Sequence, residues 1–224
     1  MIIDLAIENK NILVIGAGIE GAKKVRVLGD YKCNITVISE SISPDITNYE
    51  KKINNLKIIK RKVTDVDFLN EFGNPFIIFA VTDDKHLNKK ITTWARQRKI
   101  LAYSIDDSQQ SDFGFLSIIN IEESIQIAIS TLGKSPIMAK IIKSKIEGAI
   151  KNTIVRSDID NIKIQAFARE QAKKYIQNPK ERKDFLRGLI NNPEIQELIS
   201  KNNIDKVKER IINTLDKLED NNGR

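Results

Sequence analysis

Side chains suited to metal binding and redox chemistry are scarce in this 224-residue chain, which has one cysteine, Cys33, and one histidine, His86. A single cysteine excludes an internal disulfide, and it also excludes zinc and iron–sulfur sites built from cysteine clusters. A single histidine excludes histidine-rich metal centres and leaves little basis for a Ser-His-Asp triad. We therefore expect no resident metal ion.

Long hydrophobic runs are also missing. No apolar run approaches the roughly 18–20 residues that a membrane-spanning helix needs, and no basic segment precedes the first apolar residues, as it would in a signal peptide. We therefore expect a cytoplasmic protein with no membrane partner. Apolar residues make up 41% of the chain and charged residues 30%, which is typical of a globular protein.

The charge balance is positive, with 37 basic and 30 acidic residues. The excess lies mainly in residues 141–224, which have 18 basic and 13 acidic side chains. Basic residues are interleaved with acidic ones and form no dense cluster, so we expect solvated helix faces and no nucleic-acid partner. A positively charged protein also suits a small polyanionic ligand.

The first half of the chain alternates short apolar runs with longer polar-periodic ones. The apolar runs are rich in β-branched residues and lie at 12–15, 35–38, 56–59, 76–80 and 100–103. Strands that alternate with crossovers predict an α/β fold with a doubly wound parallel sheet of the Rossmann type, and continuous apolar strands agree because parallel strands are buried on both faces. We assign residues 1–113 to this domain.

The pattern changes after the fifth apolar run. Residues 115–120 and 124–130 alternate with a period near two and lie close together along the chain, which predicts an antiparallel hairpin. We expect residues 114–150 to form a small β dimerisation region.

The remainder of the chain has a helical pattern. Pro136 suits the first turn of a helix with Ser135 as its N-cap, and Asn178-Pro179 and Asn192-Pro193 separate the helices that follow. We expect an all-helical C-terminal domain at 151–224.

A glycine motif, Gly16-x-Gly18-x-x-Gly21, follows the first predicted strand and opens a helix. This context is typical of dinucleotide binding: Gly16 permits a tight turn, and Gly18 lets the backbone and the helix N-terminus approach a pyrophosphate. Glu40 lies 22 residues after Gly18, where a carboxylate would bind ribose hydroxyls and repel a 2′-phosphate. The motif therefore favours NAD over NADP, although the same glycines could serve only to pack helix on strand.

Polar side chains also follow the fourth and fifth predicted strands. Thr82 stands where it would line the cofactor site, whereas Asp83 and Asp84 could instead cap the next helix. Asp106 or its neighbour Asp107 could act as a general base beside the nicotinamide, or the pair could form an Asx-type turn.

A loop that leaves the predicted hairpin combines hydroxyls, a glycine, a lysine and a helix N-terminus. Such a loop is a candidate pocket for the anionic groups of a substrate, although it could equally be a helix cap alone. Its candidate substrate-binding residues are Ser130, Thr131, Gly133, Lys134 and Ser135.

Together these residues resemble the precorrin-2 dehydrogenase family, which includes the dehydrogenase/ferrochelatase half of siroheme synthase. Four segments carry the resemblance, in the order that the family shows. They are residues 14–18, residues 80–84 with Asn88, residues 104–106 followed by 117–119, and residues 129–136. The C-terminal residues 151–224 match the family only in length and character.

The resemblance implies a homodimer that oxidises precorrin-2 to sirohydrochlorin with NAD, and in bifunctional members inserts ferrous iron to give siroheme. It implies that Asp106 is the key aspartate, which we expect also to take pyrrole protons during metallation, and that residues 130–135 form the active-site loop. It implies cofactor contacts at Gly18, Ile19, Glu20, Glu40 and Ser41. The chain departs from the family at Leu132, where the family often has glycine, which leaves the loop conformation open.

Two alternatives remain open. A dehydrogenase without chelatase activity would retain the same aspartate, so the sequence does not separate it from a bifunctional enzyme. A non-catalytic NAD-sensing regulator, of the kind that gates potassium uptake, would share the glycine motif but would need neither Asp106 nor the loop at 130–136.

Overall fold

The computed structural model describes residues 2–222, and their side chains up to residue 218. The chain forms two compact units, Met1–Phe115 and Leu116–Arg224. Each unit has its own hydrophobic core. The predicted limits at 1–113, 114–150 and 151–224 stay predictions, and Met1 and residues 223–224 lie outside the described residues.

The first unit contains a five-stranded parallel sheet with the strand order β3-β2-β1-β4-β5. This sheet confirms the predicted Rossmann-type fold. Its strands and helices are β1 (Asn11–Ile15), α1 (Ile19–Gly29), β2 (Asn34–Ser39), α2 (Pro44–Glu50), β3 (Leu56–Lys60), β4 (Ile77–Ala80), α3 (Lys85–Gln97) and β5 (Leu101–Ser104).

The apolar runs are continuous because both faces of the sheet are covered. Along β1, Ile12 and Val14 belong to one core, which also contains Val25 of α1. Leu13 and Ile15 point the other way, into a second core that α3 completes. Each strand therefore needs apolar residues at consecutive positions rather than at every second one.

The order of the strands determines where a ligand can bind. β1 lies at the centre, with β2 on one side and β4 on the other. The connection after β1 leads to one side of the sheet and the connection after β3 leads to the other side of β1. In sheets of this kind a crevice opens between the two connections, at the carboxyl ends of the strands.

The second unit begins with an antiparallel pair, β6 (Ser117–Ile121) and β7 (Ile125–Ile129), which agrees with the predicted hairpin apart from its ends. Five helices follow, and the last four share a core that includes Ile164, Leu189 and Ile211. These helices are α4 (Pro136–Ile150), α5 (Arg156–Tyr175), α6 (Pro179–Asn191), α7 (Pro193–Ser200) and α8 (Ile204–Asn222).

Side chains cap three of these helices, at the predicted N-cap Ser135 and at the two predicted helix boundaries. Ser135 Oγ accepts a hydrogen bond from the Met138 amide at 3.2 Å, and the side chains of Asn178 and Asn192 cap α6 and α7 in the same way. Within residues 2–222, no helix is long and apolar enough to cross a membrane.

Candidate cofactor and active site

A cleft of about 720 Å³ opens at the carboxyl edge of the sheet in the first unit. Its walls are the segments that follow β1, β2 and β4, with further contributions from Lys62 and Ile105. All the residues that the sequence assigned to the cofactor line this cleft: Gly16, Gly18, Ile19, Glu20, Glu40, Ser41 and Thr82.

The three glycines of the motif have different roles. Gly16 has a φ of +109°, and a Cβ there would lie 2.6 Å from the carbonyl carbon of Val81. A Cβ on Gly21 would collide with the carbonyl oxygen of Gly16. Gly18, in contrast, has no atom within 4 Å of a Cβ built on it, and it borders the cleft. Gly16 and Gly21 therefore allow the chain to pack, whereas Gly18 leaves space for a ligand.

The N-terminus of α1 carries no side-chain cap, because its N-cap residue is Gly18. The helices α3, α4, α6 and α7 all have a capping side chain. The first N–H groups of α1 are thus left for another hydrogen-bond acceptor at the positive end of the helix dipole. A phosphate is well suited to that position.

Ser43 supplies a second unsatisfied group in the cleft wall. Its Oγ is buried and has no hydrogen-bond partner among the described residues. The Ser43 amide donates to the carbonyl oxygen of Ala17 at 3.1 Å, which places Ser43 against the glycine loop. A buried hydroxyl normally has a partner, so the open space at Gly18 and the unsatisfied hydroxyl at Ser43 both fit a bound dinucleotide.

Glu40 and Lys62 lie together at the far side of the cleft. Glu40 Oε2 is 3.9 Å from Lys62 Nζ, and both side chains are mostly exposed. Sequence reasoning found Glu40 but missed Lys62, which follows β3. The only available signal was the pairing of β3 with β2, because that pairing brings the residues after the two strands side by side.

Thr82 borders the cleft, but its hydroxyl is already engaged. It donates to Asn88 Oδ1 at 2.7 Å, and Asn88 Nδ2 donates back to the Thr82 carbonyl at 2.9 Å. Asn88 is fully buried and holds this turn in place. Asp84 caps α3 by accepting from the amides of His86 and Leu87, which agrees with the capping interpretation.

Asp106 follows β5 at the same edge of the sheet and is exposed. Ser104 Oγ donates to Asp106 Oδ1 at 2.5 Å, which orients the carboxylate. Asp107 instead caps a short turn by accepting from the Gln109 amide at 2.8 Å, so the Asx-turn interpretation applies to Asp107.

The structure does not place Asp106 in the lining of the large cleft. It borders a smaller pocket of about 280 Å³, together with Lys85, His86 and Lys89. The His86 side chain is exposed. Its place beside Asp106 follows from the pairing of β4 with β5, which linear spacing does not reveal.

The predicted substrate loop lies in the second unit, and its hydroxyls hold its own backbone. Thr131 Oγ1 donates to the Ser135 carbonyl at 3.1 Å, and Ser130 Oγ accepts from the Leu132 amide at 3.0 Å. Leu132 and Gly133 have φ values of +54° and +77°. Lys134 is exposed and makes no ion pair within the described residues.

The part of the chain that the structure describes contains no group of three or more histidine, cysteine, aspartate or glutamate side chains that could hold a metal ion.

Two family models match the chain. An NAD(P)-binding model covers residues 3–117, and a model of the central region of sirohaem biosynthesis proteins covers residues 123–149. The chain belongs to this NAD(P)-binding family. The second match begins shortly after the first one ends, and together they confirm the resemblance to the precorrin-2 dehydrogenase family.

Curated relatives of this family member are siroheme synthases. The protein from Buchnera aphidicola subsp. Acyrthosiphon pisum is 31% identical over 94% of this chain and 41% of its own length. The protein from Blochmanniella floridana is 29% identical over 93% of this chain and 44% of its own length. The chain therefore spans less than half the length of these relatives.

A solved structure, "SirC, precorrin-2 dehydrogenase", has the same fold. It matches with a TM-score of 0.66 and 19% sequence identity, over 97% of this chain and 99% of the other. The match thus extends through the helical C-terminal part.

Proposed function

We propose that this chain oxidises precorrin-2 to sirohydrochlorin with NAD. The observation that carries the proposal is the dinucleotide-type cleft at the carboxyl edge of the sheet, with Asp106 on the neighbouring strand end at the same edge. The siroheme synthase relatives and the precorrin-2 dehydrogenase fold support this substrate class.

The oxidation removes a hydride and a proton from the substrate. The cleft at Gly18 and the N-terminus of α1 would hold NAD, which would supply the hydride acceptor. Asp106 accepts the proton at Oδ2, because Oδ1 already accepts the hydrogen bond from Ser104.

Substrate carboxylates are the groups that we assign to the loop at 130–135. The Ser130 and Ser135 hydroxyl oxygens accept amide hydrogen bonds, and their O–H groups stay available as donors. Lys134 adds a charge that no carboxylate neutralises within the described residues. Such donors form charge-assisted hydrogen bonds with carboxylates.

An anaerobic turnover assay tests this function. Enzymatically generated precorrin-2 is mixed with NAD, and NADH formation is followed in the wild type, in Asp106→Asn and in the control Asp107→Asn. We expect turnover to fall by about a hundredfold or more in Asp106→Asn, as for loss of a general base, and to persist in the control. NAD binding without turnover in the wild type would contradict the proposal and favour the regulator.

We infer that the preferred cofactor is NAD rather than NADP. The Glu40 carboxylate stands at the cleft and would repel a 2′-phosphate, whereas Lys62 beside it would attract one. Glu40→Gln should therefore lower the preference for NAD, and Lys62→Gln should raise it. Titration of both variants with NAD and NADP measures the ratio, and equal ratios in the two variants would refute the assignment.

We also propose a homodimer formed through the hairpin and α4. In the 15-residue helix α4 only Ala139 is buried, while Ile137 is 73% exposed and Ile141 43%. A single two-stranded hairpin is also marginal on its own. Light scattering should give twice the mass of one chain, and Ile137→Asp with Ile141→Asp should give a monomer. A monomeric wild type would refute the dimer.

We propose ferrochelation as a second activity of the same carboxylate. Ferrous iron is then a substrate, and Asp106 takes the pyrrole protons that insertion releases. Siroheme formation from sirohydrochlorin and ferrous iron, without NAD, should depend on Asp106. If sirohydrochlorin accumulates without iron insertion while NADH is still formed, the chain is a dehydrogenase alone.

A further inference from the structure

We propose that a basic groove between α5 and α6 binds a small ligand with several anionic groups on an apolar body. The groove, which we call the α5–α6 groove, encloses about 440 Å³, within the usual range of small-molecule sites. The residues that carry the argument are Arg169, Lys173, Lys183, Arg187, Leu186 and Ile190. The site lies outside the cofactor cleft and the substrate loop.

Five cations line the groove, and four of them have neither a carboxylate nor a hydrogen-bond partner among the described residues, whereas Arg182 donates to backbone carbonyl oxygens. Arg169 and Lys173 of α5 and Lys183 and Arg187 of α6 are all exposed, and none of them forms an ion pair within residues 2–218. No aspartate or glutamate lines the groove. Elsewhere in the same unit cations do find partners, as in the pair of Arg210 with Glu194. The four charges in the groove are therefore available to an anion.

The spacing of these cations along each helix places like charges next to one another. Arg169 and Lys173 are four residues apart on one helix, and Lys183 and Arg187 are four apart on the other. Like charges at this spacing destabilise a helix by a few tenths of a kcal/mol per pair, and here two such rows line one groove. An anionic ligand would remove this repulsion, since it can contact both rows at once.

Hydrogen bonds hold the walls of the groove together. Arg182 Nη1 donates to the carbonyl oxygens of Ile176 at 2.6 Å and Gln177 at 2.9 Å, which fixes the corner between the two helices. Gln165 Nε2 donates across to the Leu186 carbonyl at 3.0 Å. The groove is thus preorganised, which lowers the entropic cost of binding.

Apolar side chains in the groove indicate that its ligand has an apolar part and is not a free inorganic ion. Leu186 lines it, and Ile190 is 51% exposed although it is a large apolar side chain. A flat apolar body would cover these groups while its charged substituents reach the cations. A polycarboxylate macrocycle and a nucleoside polyphosphate share this chemistry.

The binding measurement is made without NAD or substrate, and the test variant changes only the α5–α6 groove. A probe bound in the cofactor cleft or at the loop 130–135 would therefore bind the test and control variants equally. The full chain is titrated with three probes: uroporphyrin, which carries eight carboxylates, ATP, and inorganic phosphate. The test variant is Arg169→Gln with Arg187→Gln. The control is Lys163→Gln with Lys206→Gln, which removes the same charge at exposed positions outside the groove.

We expect uroporphyrin or ATP to bind the wild type and the control, and to bind the test variant at least about tenfold more weakly, since two charge-assisted contacts to the ligand are lost. The stronger of the two probes identifies the source of the anionic groups. We expect phosphate to bind at least about tenfold more weakly than that probe. Absence of binding by uroporphyrin and ATP, or equal affinity of the test and control variants for the probe, would overturn the proposal. So would phosphate binding as tightly as either probe. The thermal midpoint of the test variant should not fall, because the charges removed have no partner.

Discussion

Substitution of two glycines in the same loop should separate the packing of the fold from the binding of its cofactor. At Gly16 an alanine must adopt a φ of +109°, and its Cβ would lie 2.6 Å from the carbonyl carbon of Val81 and 2.9 Å from the Thr82 amide. The backbone strain costs about 1–3 kcal/mol, and the overlap with backbone atoms costs about the same again. Gly16→Ala should therefore lower the free energy of unfolding by roughly 4 kcal/mol.

Gly18→Ala should instead leave stability nearly unchanged and weaken NAD binding. The residue has a φ of −75°, and nothing lies within 4 Å of the added Cβ. The poorer N-cap and the lower entropy of the unfolded chain largely cancel, so stability should change by less than about 0.5 kcal/mol. The Cβ would nevertheless occupy the space that the pyrophosphate needs, and NAD affinity should fall by about ten- to a hundredfold.

Urea unfolding and calorimetric titration with NAD measure the two quantities. Wild-type NAD affinity in Gly18→Ala would contradict this expectation. Equal losses of stability in the two variants would do the same, since of these two glycines only Gly16 lacks room for a Cβ.

Three further predictions concern single side chains. Ser43→Ala should weaken NAD binding about five- to tenfold in a titration while leaving the unfolding free energy unchanged or slightly higher, because an unsatisfied buried hydroxyl is removed. Burial lowers the pKa of Lys24 below its ordinary value of 10.5. As the pH rises, the folded chain therefore loses this proton before the unfolded chain does. The free energy of unfolding should then increase with pH, up to about pH 10.5. Lys24→Met should lack that contribution in urea unfolding between pH 7.5 and 10, and an unchanged pH dependence would refute it. Leu132→Asn should raise the free energy of unfolding by about 0.5–1 kcal/mol, because asparagine tolerates the φ of +54°; a decrease would contradict this.

The sheet and its cofactor cleft were predictable because their signals are local. The apolar runs at β1, β2 and β4 are short and rich in β-branched residues, and a glycine or a polar residue follows each of them within two positions. The glycine motif identified the turn after β1, and the acidic residue after β2 followed from spacing alone. Such signals need no knowledge of which strands are neighbours.

The rest of the site depends on neighbours that the linear sequence does not define. Lys62 reaches Glu40 only because β3 pairs with β2, and His86 reaches the Asp106 pocket only because β4 pairs with β5. The unsatisfied hydroxyl of Ser43 follows from the packing of α2 against the glycine loop. In the linear sequence the basic residues of α5 and α6 are interleaved with acidic ones, and only the packing of the two helices brings Arg169, Lys173, Lys183 and Arg187 to one groove.

The most direct test of the central claim is the stoichiometry of the reaction. Under strictly anaerobic conditions, with excess NAD and chelated iron, the NADH formed and the sirohydrochlorin formed are quantified together from the same sample. We expect one NADH for each sirohydrochlorin, with both products lost together in Asp106→Asn. Sirohydrochlorin that appears without NADH, or no oxidation by a chain that binds NAD, would contradict it.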